Sequence, residues 1–234
     1  MVIFEQVTFS YNNKIQAVEN VTMRISQGQT LGLLGHNGAG KTTTFRLILG
    51  LLRPQSGNVK VDGLKPENPK MPRGLVSYMP ELNGIYEKLT GFQNLEFRAR
   101  AAKMDRKQIL PRSKNLLDRL GLLKRSHEKA GYWSKGMKQR LSLACALICQ
   151  PRILLLDEPT NGLDPESLSI VIQILQEIQD KETAIILSSH DLNSVCKICD
   201  HIAILQNGSL IHTGVLEGKA DLLQETYLKL TAEG

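Results

Sequence analysis

The chain has 234 residues, and 29 Lys and Arg against 23 Asp and Glu give it a net charge of +6. Its 41% hydrophobic and 22% charged residues are ordinary for a soluble globular protein, which excludes a disordered chain, and its length allows one large domain or two small ones. The basic surplus suits an anionic partner such as a nucleotide, a membrane surface or nucleic acid, and equally an ordinary solvated surface.

No basic segment followed by an apolar one marks the start, so no signal peptide is expected. The most apolar stretches, near Ile48–Leu52 and Ile153–Leu156, are too short to span a bilayer. A membrane role would need another chain to supply the membrane part.

Val2–Phe9 alternates loosely through Ile3, Phe4, Val7 and Phe9 and predicts a strand. Tyr11 is then expected on a polar turn with Asn12, Asn13 and Lys14, where an exposed ring can stack on a base or simply pack. Val21–Ile25 predicts a second strand, and Gln27-Gly28-Gln29 turns the chain into the apolar run Leu31–Leu34. The stretch Gly35-His36-Asn37-Gly38-Ala39-Gly40-Lys41-Thr42 follows, opening into a helix from Thr43 that Gly50 and Pro54 end. A glycine-rich loop between strand and helix can wrap a polyphosphate with its backbone N–H groups, helped by the positive helix N-terminus. Lys41 is placed to reach the β- and γ-phosphates, and the Thr42 hydroxyl to sit on Mg²⁺.

Gly57–Val61 predicts a short strand with Asp62-Gly63 as its turn, and Pro66–Pro72 a surface loop. Leu75–Met79 is another strand, followed by Pro80-Glu81. From Gly91 to Gly131 apolar residues recur at near-helical intervals, predicting an inserted helical lobe. Ser134 is a candidate N-cap for a helix carrying Leu141, Leu143, Ala144 and Leu147. The continuous run Ile153–Leu156 suits a strand buried on both faces, with Asp157-Glu158 at its C-terminal end, where open α/β sheets place their chemistry. Asp164 is a candidate N-cap with Pro165 at the first helical position. Thr183–Leu187 predicts a strand running into Ser188-Ser189-His190-Asp191. His201–Leu205 and Leu210–His212 predict a hairpin turning at Asn207-Gly208, and Lys219–Leu230 a final helix. Cys196-x-x-Cys199 lacks a second ligand pair at zinc-like spacing, so all four cysteines are expected as free thiols of a reducing compartment.

Phosphate-loop hydrolysis needs a metal-holding carboxylate at a strand end and a group that acts on the attacking water. Asp157 and the adjacent Glu158 are the candidates. Taken together, the chain resembles the nucleotide-binding subunit of an ATP-binding cassette (ABC) transporter. Gly35–Thr42 matches Walker A, Ile153–Asp157 Walker B with Glu158 as its catalytic glutamate, and Asn161–Asp164 the D-loop. His190 matches the switch histidine, and Tyr11 the aromatic that stacks on adenine. Trp133-Ser134-Lys135-Gly136-Met137 falls where the family has Leu-Ser-Gly-Gly-Gln, keeping only Ser134 and Gly136. Glu81 replaces the usual Q-loop glutamine. Both departures, with the tail Leu223–Thr231, resemble the subgroup that pairs with ABC-2-type membrane subunits, mostly exporters.

The resemblance implies an α/β phosphate-loop NTPase fold: a mostly parallel central sheet with flanking helices, an N-terminal antiparallel β subdomain and an inserted α-helical lobe. It implies one ABC ATPase domain over 1–234, with 1–83 and 150–234 as catalytic core and 84–149 as helical subdomain. The implied ATP ligands are Tyr11, Gly35, His36, Asn37, Gly38, Ala39, Gly40, Lys41, Thr42, Thr43, Ser134, Gly136 and Asp164. Glu158, His190 and Lys41 are the implied catalytic residues, and Thr42, Glu81 and Asp157 the Mg²⁺ ligands. The implied partners are an integral membrane subunit and a second copy bound head to tail, with no nucleic acid, on the cytoplasmic face of the membrane. A soluble ABC ATPase acting on nucleic acid or ribosomes, or an importer ATPase, is the alternative.

Overall fold

The structure, a computed structural model, describes residues 1–12, 15–82, 84–179, 182–216 and 220–232. In chain order it contains β1 (Val2–Tyr11), β2 (Ile15–Ile25), β3 (Thr30–Leu34), α1 (Lys41–Ile48), β4 (Ser56–Val61) and β5 (Val76–Met79). There follow α2 (Gly91–Ala101), α3 (Arg106–Arg119), α4 (Lys135–Leu147), β6 (Ile153–Asp157), α5 (Pro165–Gln179) and β7 (Ala184–Ser188). The chain closes with α6 (Leu192–Ile198), β8 (His201–Gln206), β9 (Ser209–Val215) and α7 (Ala220–Ala232). It divides into two compact units, residues 1–71 with 182–234, and residues 72–181.

In the first unit the strands stand in the order β4-β1-β2-β9-β8-β3-β7. β1 pairs antiparallel with β2 and β4, forming the expected antiparallel N-terminal portion, whereas β3 runs parallel to both β7 and β8. Every residue of β3 and β7 is buried, which is why both read as unbroken apolar runs rather than alternating ones. α6 packs closely on β3 at Gly32, where a Cβ would lie 2.8 Å from Val195 Cγ1 and 3.2 Å from Cys199 Sγ. The β8–β9 hairpin turns at Asn207 and Gly208, both with positive φ, as the Asn-Gly pair predicts.

Two expectations shift here. β2 begins at Ile15 rather than Val21, because the polar residues Gln16 and Glu19 sit on an exposed face while Ala17 and Val18 are buried. Tyr11 is the last residue of β1, paired with Ile15, and not part of a turn. Asn13 and Lys14, and the predicted helix start at Lys219, lie outside the described residues.

In the second unit β5 and β6 pair in parallel, Tyr78 opposite Leu155. α2, α3 and α4 supply the predicted helices and bury Leu95, Leu117, Leu141 and Leu143. α2 starts with a capping box between Thr90 and Gln93, α3 with Asp105, and α4 with Ser134 as read from sequence. Among the described residues no helix is long and apolar enough to cross a membrane.

All four cysteines are free. Burial pushes the Cys145 thiol up to about 12 and raises Cys199 well above the usual thiol range. No group of three or more His, Cys, Asp or Glu side chains among the described residues forms a metal cluster, Cys196 and Cys199 included.

Candidate functional site

The first unit carries Gly35–Thr42, the candidate phosphate loop. α1 starts at Lys41 with Gly40 as its N-cap, a residue with no side chain to bond the helix start, and its first turn holds no acidic residue. A helix start behind a glycine cap, with no carboxylate in its first turn, favours an external anion. Gly40 has φ 108°, and a Cβ there would collide with the Ala17 carbonyl. The hairpin turn buttresses the same loop, the Gly208 N–H donating to the Ala39 carbonyl at 3.1 Å. A Cβ at Gly38 would meet nothing within 4 Å, so the loop opens onto space at that point. Lys41 Nζ donates to the carbonyls of Gly35 at 2.5 Å and His36 at 3.0 Å, holding the ammonium against the inside of the loop. This donor set fits a polyphosphate. His36, Asn37 and Thr42 are exposed beside it.

Tyr11 lies beside α1. Its hydroxyl accepts from Arg46 Nη1 at 2.9 Å and lies 3.4 Å from the Thr43 hydroxyl, and Phe9 meets its ring edge to face. His190 follows β7 and is exposed. Its position is set by neighbours: the Asp191 N–H donates to the Ser189 hydroxyl at 3.0 Å, and Asp191 caps α6 through the Asn193 N–H.

The second unit carries the acidic and signature residues. Asp157 ends the fully buried β6, and the Tyr78 hydroxyl donates to its Oδ2 at 3.0 Å. Glu158 adopts φ 50° and is buried, a strained conformation for a residue with a side chain. Gln139 holds that turn, its amide donating to the Glu158 carbonyl at 3.2 Å. Such a strained residue at a strand end, fixed from α4, suits a group that must be aimed.

Ser134 caps α4 by accepting from the Met137 N–H at 3.3 Å. Gly136 faces the start of α5: a Cβ there would lie 3.1 Å from Ser167 Oγ and 3.2 Å from Asp164 Oδ2. Asp164 itself caps α5, accepting from the Ser167 N–H and hydroxyl at 2.9 Å each, which holds its carboxyl below the usual carboxylate range. The unusual signature residues have partners within the unit. Trp133 is buried against Gly91, the Lys135 side chain lies across Gly162, and Met137 accepts from Arg125 at 3.5 Å. Glu81 is exposed just past β5.

Within the first unit, then, the structure gathers Tyr11, Thr43 and the phosphate loop. Within the second it gathers Ser134, Gly136 and Asp164, and separately Asp157 and Glu158. Sequence reading missed Arg46, Tyr78 and Gln139. Arg46 carried a signal, since it lies three residues after Thr43 on the same helix face. Tyr78 and Gln139 act across elements, where spacing gives no warning.

The sequence profile of the ABC transporter family matches residues 18–161. The chain is similar to the linearmycin resistance ATP-binding protein LnrL of Bacillus subtilis, at 31% identity over 98% of this chain and 74% of that protein. It is also similar to the methionine import ATP-binding protein MetN of Carboxydothermus hydrogenoformans, at 33% identity over 90% of this chain and 64% of that protein. A solved structure, described as that of an ATP-binding subunit of an ABC transporter, aligns with a TM-score of 0.90 at 31% identity over 99% of both chains.

Proposed function

Because this chain belongs to the ABC transporter family of ATP-binding ATPases, we propose that it powers an ABC-2-type exporter by closing head to tail on a second copy around two ATP molecules. The single observation that carries the head-to-tail closure is the pair of helix starts, one capped by glycine and one by serine, with no acidic residue in either first turn. α1 offers its N–H groups behind the glycine loop, and α4 offers Ser134 and a first turn free of acidic residues. Each suits an anion, so one phosphate chain can join two copies.

Lys41 and the loop N–H groups hold the β- and γ-phosphates, and Tyr11 stacks on the base. His36, Asn37, Ala39 and Thr43 line the same loop and helix start. Mg²⁺ neutralises charge on the phosphates when bound. Oxygen ligands suit that ion, and the Thr42 hydroxyl and the carboxylates of Asp157 and Glu81 are of this kind. Glu158 polarises the attacking water, and His190 contacts the γ-phosphate. Asp164, with Ser134 and Gly136, belongs to the face that meets the other copy's nucleotide. Hydrolysis divides one bound anion into two that repel each other, so the closed pair loosens, and the membrane subunits follow that change. The subunit then works as a peripheral protein on the cytoplasmic face, with a membrane-spanning partner and no nucleic acid. The domain reading of 1–83 with 150–234 as catalytic core and 84–149 as helical subdomain belongs to this proposal.

The test uses Glu158→Gln. The variant is expected to bind ATP, to lose hydrolysis by about 100-fold or more, as for other lost general bases, and to run as a dimer on sizing columns with ATP. Wild-type turnover in this variant overturns the role of Glu158. Import is the second reading, favoured by the likeness to a methionine importer's subunit. Purification from membranes separates the two: an exporter subunit brings down its membrane partner alone, whereas a substrate-binding protein in the complex indicates import.

A further inference from the structure

The side chains around Tyr11 do more than pack. β1 delivers the ring to the first turns of α1, and three contacts fix it there. Arg46 Nη1 donates to the hydroxyl at 2.9 Å, the Thr43 hydroxyl lies 3.4 Å away, and Phe9 meets the ring with centroids 5.0 Å apart and planes at 88°. Thr43 and Arg46 are three residues apart in α1 and so share the face that looks onto the end of β1. Thr43 is also the residue directly after the phosphate loop. Arg46 is exposed, so it is not held in place by a core.

We propose that Arg46 is a positioning residue for nucleotide: through the Tyr11 hydroxyl it locks the aromatic platform to the helix that carries the phosphate loop. The inference rests on the reading of Tyr11 as the base-stacking residue. A ring tethered at its hydroxyl end and braced by Phe9 keeps one orientation before nucleotide arrives. Binding therefore does not have to order it, and the saving appears as affinity for the base-bearing part of the ligand only. The phosphate-binding N–H groups and Lys41 are untouched by the tether. Arginine suits this position because its planar fork offers several donors in fixed directions, whereas a lysine keeps the charge and a single flexible donor group.

The experiment measures equilibrium binding of ATP and of inorganic tripolyphosphate to the purified full chain. The variants are Arg46→Met, Arg46→Lys, Tyr11→Phe and Tyr11→Ala. Methionine has nearly the helix propensity of arginine, so α1 persists. Arg46→Met and Tyr11→Phe are each expected to weaken ATP binding about threefold to tenfold, the range of one hydrogen bond, and to leave tripolyphosphate binding unchanged. The Arg46→Met, Tyr11→Phe pair should bind no more weakly than either alone, because both remove the same tether. Arg46→Lys should recover part of the loss. Tyr11→Ala should be weaker for ATP than Tyr11→Phe.

If Arg46→Met and Tyr11→Phe bind ATP like the wild type while Tyr11→Ala does not, the tether is refuted and the platform stands. If Tyr11→Ala also binds ATP like the wild type, the base-stacking reading falls with it. Equal losses for ATP and tripolyphosphate in Arg46→Met would make Arg46 a phosphate-attracting charge and overturn the proposal.

Discussion

Gly91→Ala tests how tightly Trp133, in the segment Trp133–Met137, is packed against α2. The Trp133 ring runs over the first residue of α2. A methyl on Gly91 would lie 2.5 Å from Trp133 Cη2, 3.0 Å from Cζ2 and 3.3 Å from the Ser126 carbonyl. Carbon atoms pack best at about 3.5–4.0 Å, so the ring or the helix must move by roughly an ångström. Trp133 is only 4% exposed, and it has no open side into which to swing. Overpacking of this kind costs about 1–3 kcal/mol. Alanine regains up to about 1 kcal/mol over glycine inside a helix, but less at its first residue. The net expectation is a loss of about 1–2 kcal/mol. Trp133 is the single tryptophan, so its emission reports this contact directly during urea unfolding, with circular dichroism as the second probe. In a Trp133→Leu background the collision disappears, and Gly91→Ala should then cost close to nothing, a coupling of about 1–2 kcal/mol. An unchanged unfolding midpoint and emission in Gly91→Ala, or the same cost in both backgrounds, refutes the reasoning.

Three further outcomes are expected. Ser134→Ala removes the cap of α4 and should cost about 1 kcal/mol of stability; in the Glu158→Gln background it should also abolish ATP-driven dimerisation on a sizing column, and a persisting dimer rules out a trans-acting serine. Tyr78→Phe removes the donor that fixes Asp157 Oδ2 and should weaken the Mg²⁺ dependence of ATP binding by about tenfold; an identical Mg²⁺ titration shows that the phenol does not tune the carboxylate. In the folded protein at pH 8, iodoacetamide should label Cys196 well before Cys145, whose thiol burial pushes up to about 12, and peptide mass spectrometry of equal labelling would contradict the packing of α4. The sign of the accompanying pH effect follows from the same burial. Above the unfolded thiol pKa of about 8.5 the unfolded chain loses a proton that the folded one keeps, so the stability contribution falls as pH rises.

Much of the fold was legible because it is written in local patterns. Unbroken apolar runs predicted β3, β6 and β7, and all three are buried along their whole length. Ser134 caps its helix as its position implied, and Asp164 binds the Ser167 N–H in the same way. The early start of β2 was hidden by polar residues on its exposed face, which break the apolar alternation that marks a strand. Tyr11 looked like a turn residue because asparagines follow it, yet pairing with Ile15 keeps it in β1.

The sequence by itself determined the glycine-rich loop, since glycine conformations, a helix start and a lysine lie within eight consecutive residues and need no distant partner to form it. It determined the acid pair at the end of β6 for the same reason. Only the tertiary structure decided what holds these residues: Arg46 on Tyr11, Tyr78 on Asp157, Gln139 behind the strained Glu158, and Gly91 beneath Trp133. Each of these joins elements whose separation along the chain carries no information about distance. Strand register and helix rotation bring such side chains together, and those are fixed by the packing of whole surfaces rather than by any short run of residues.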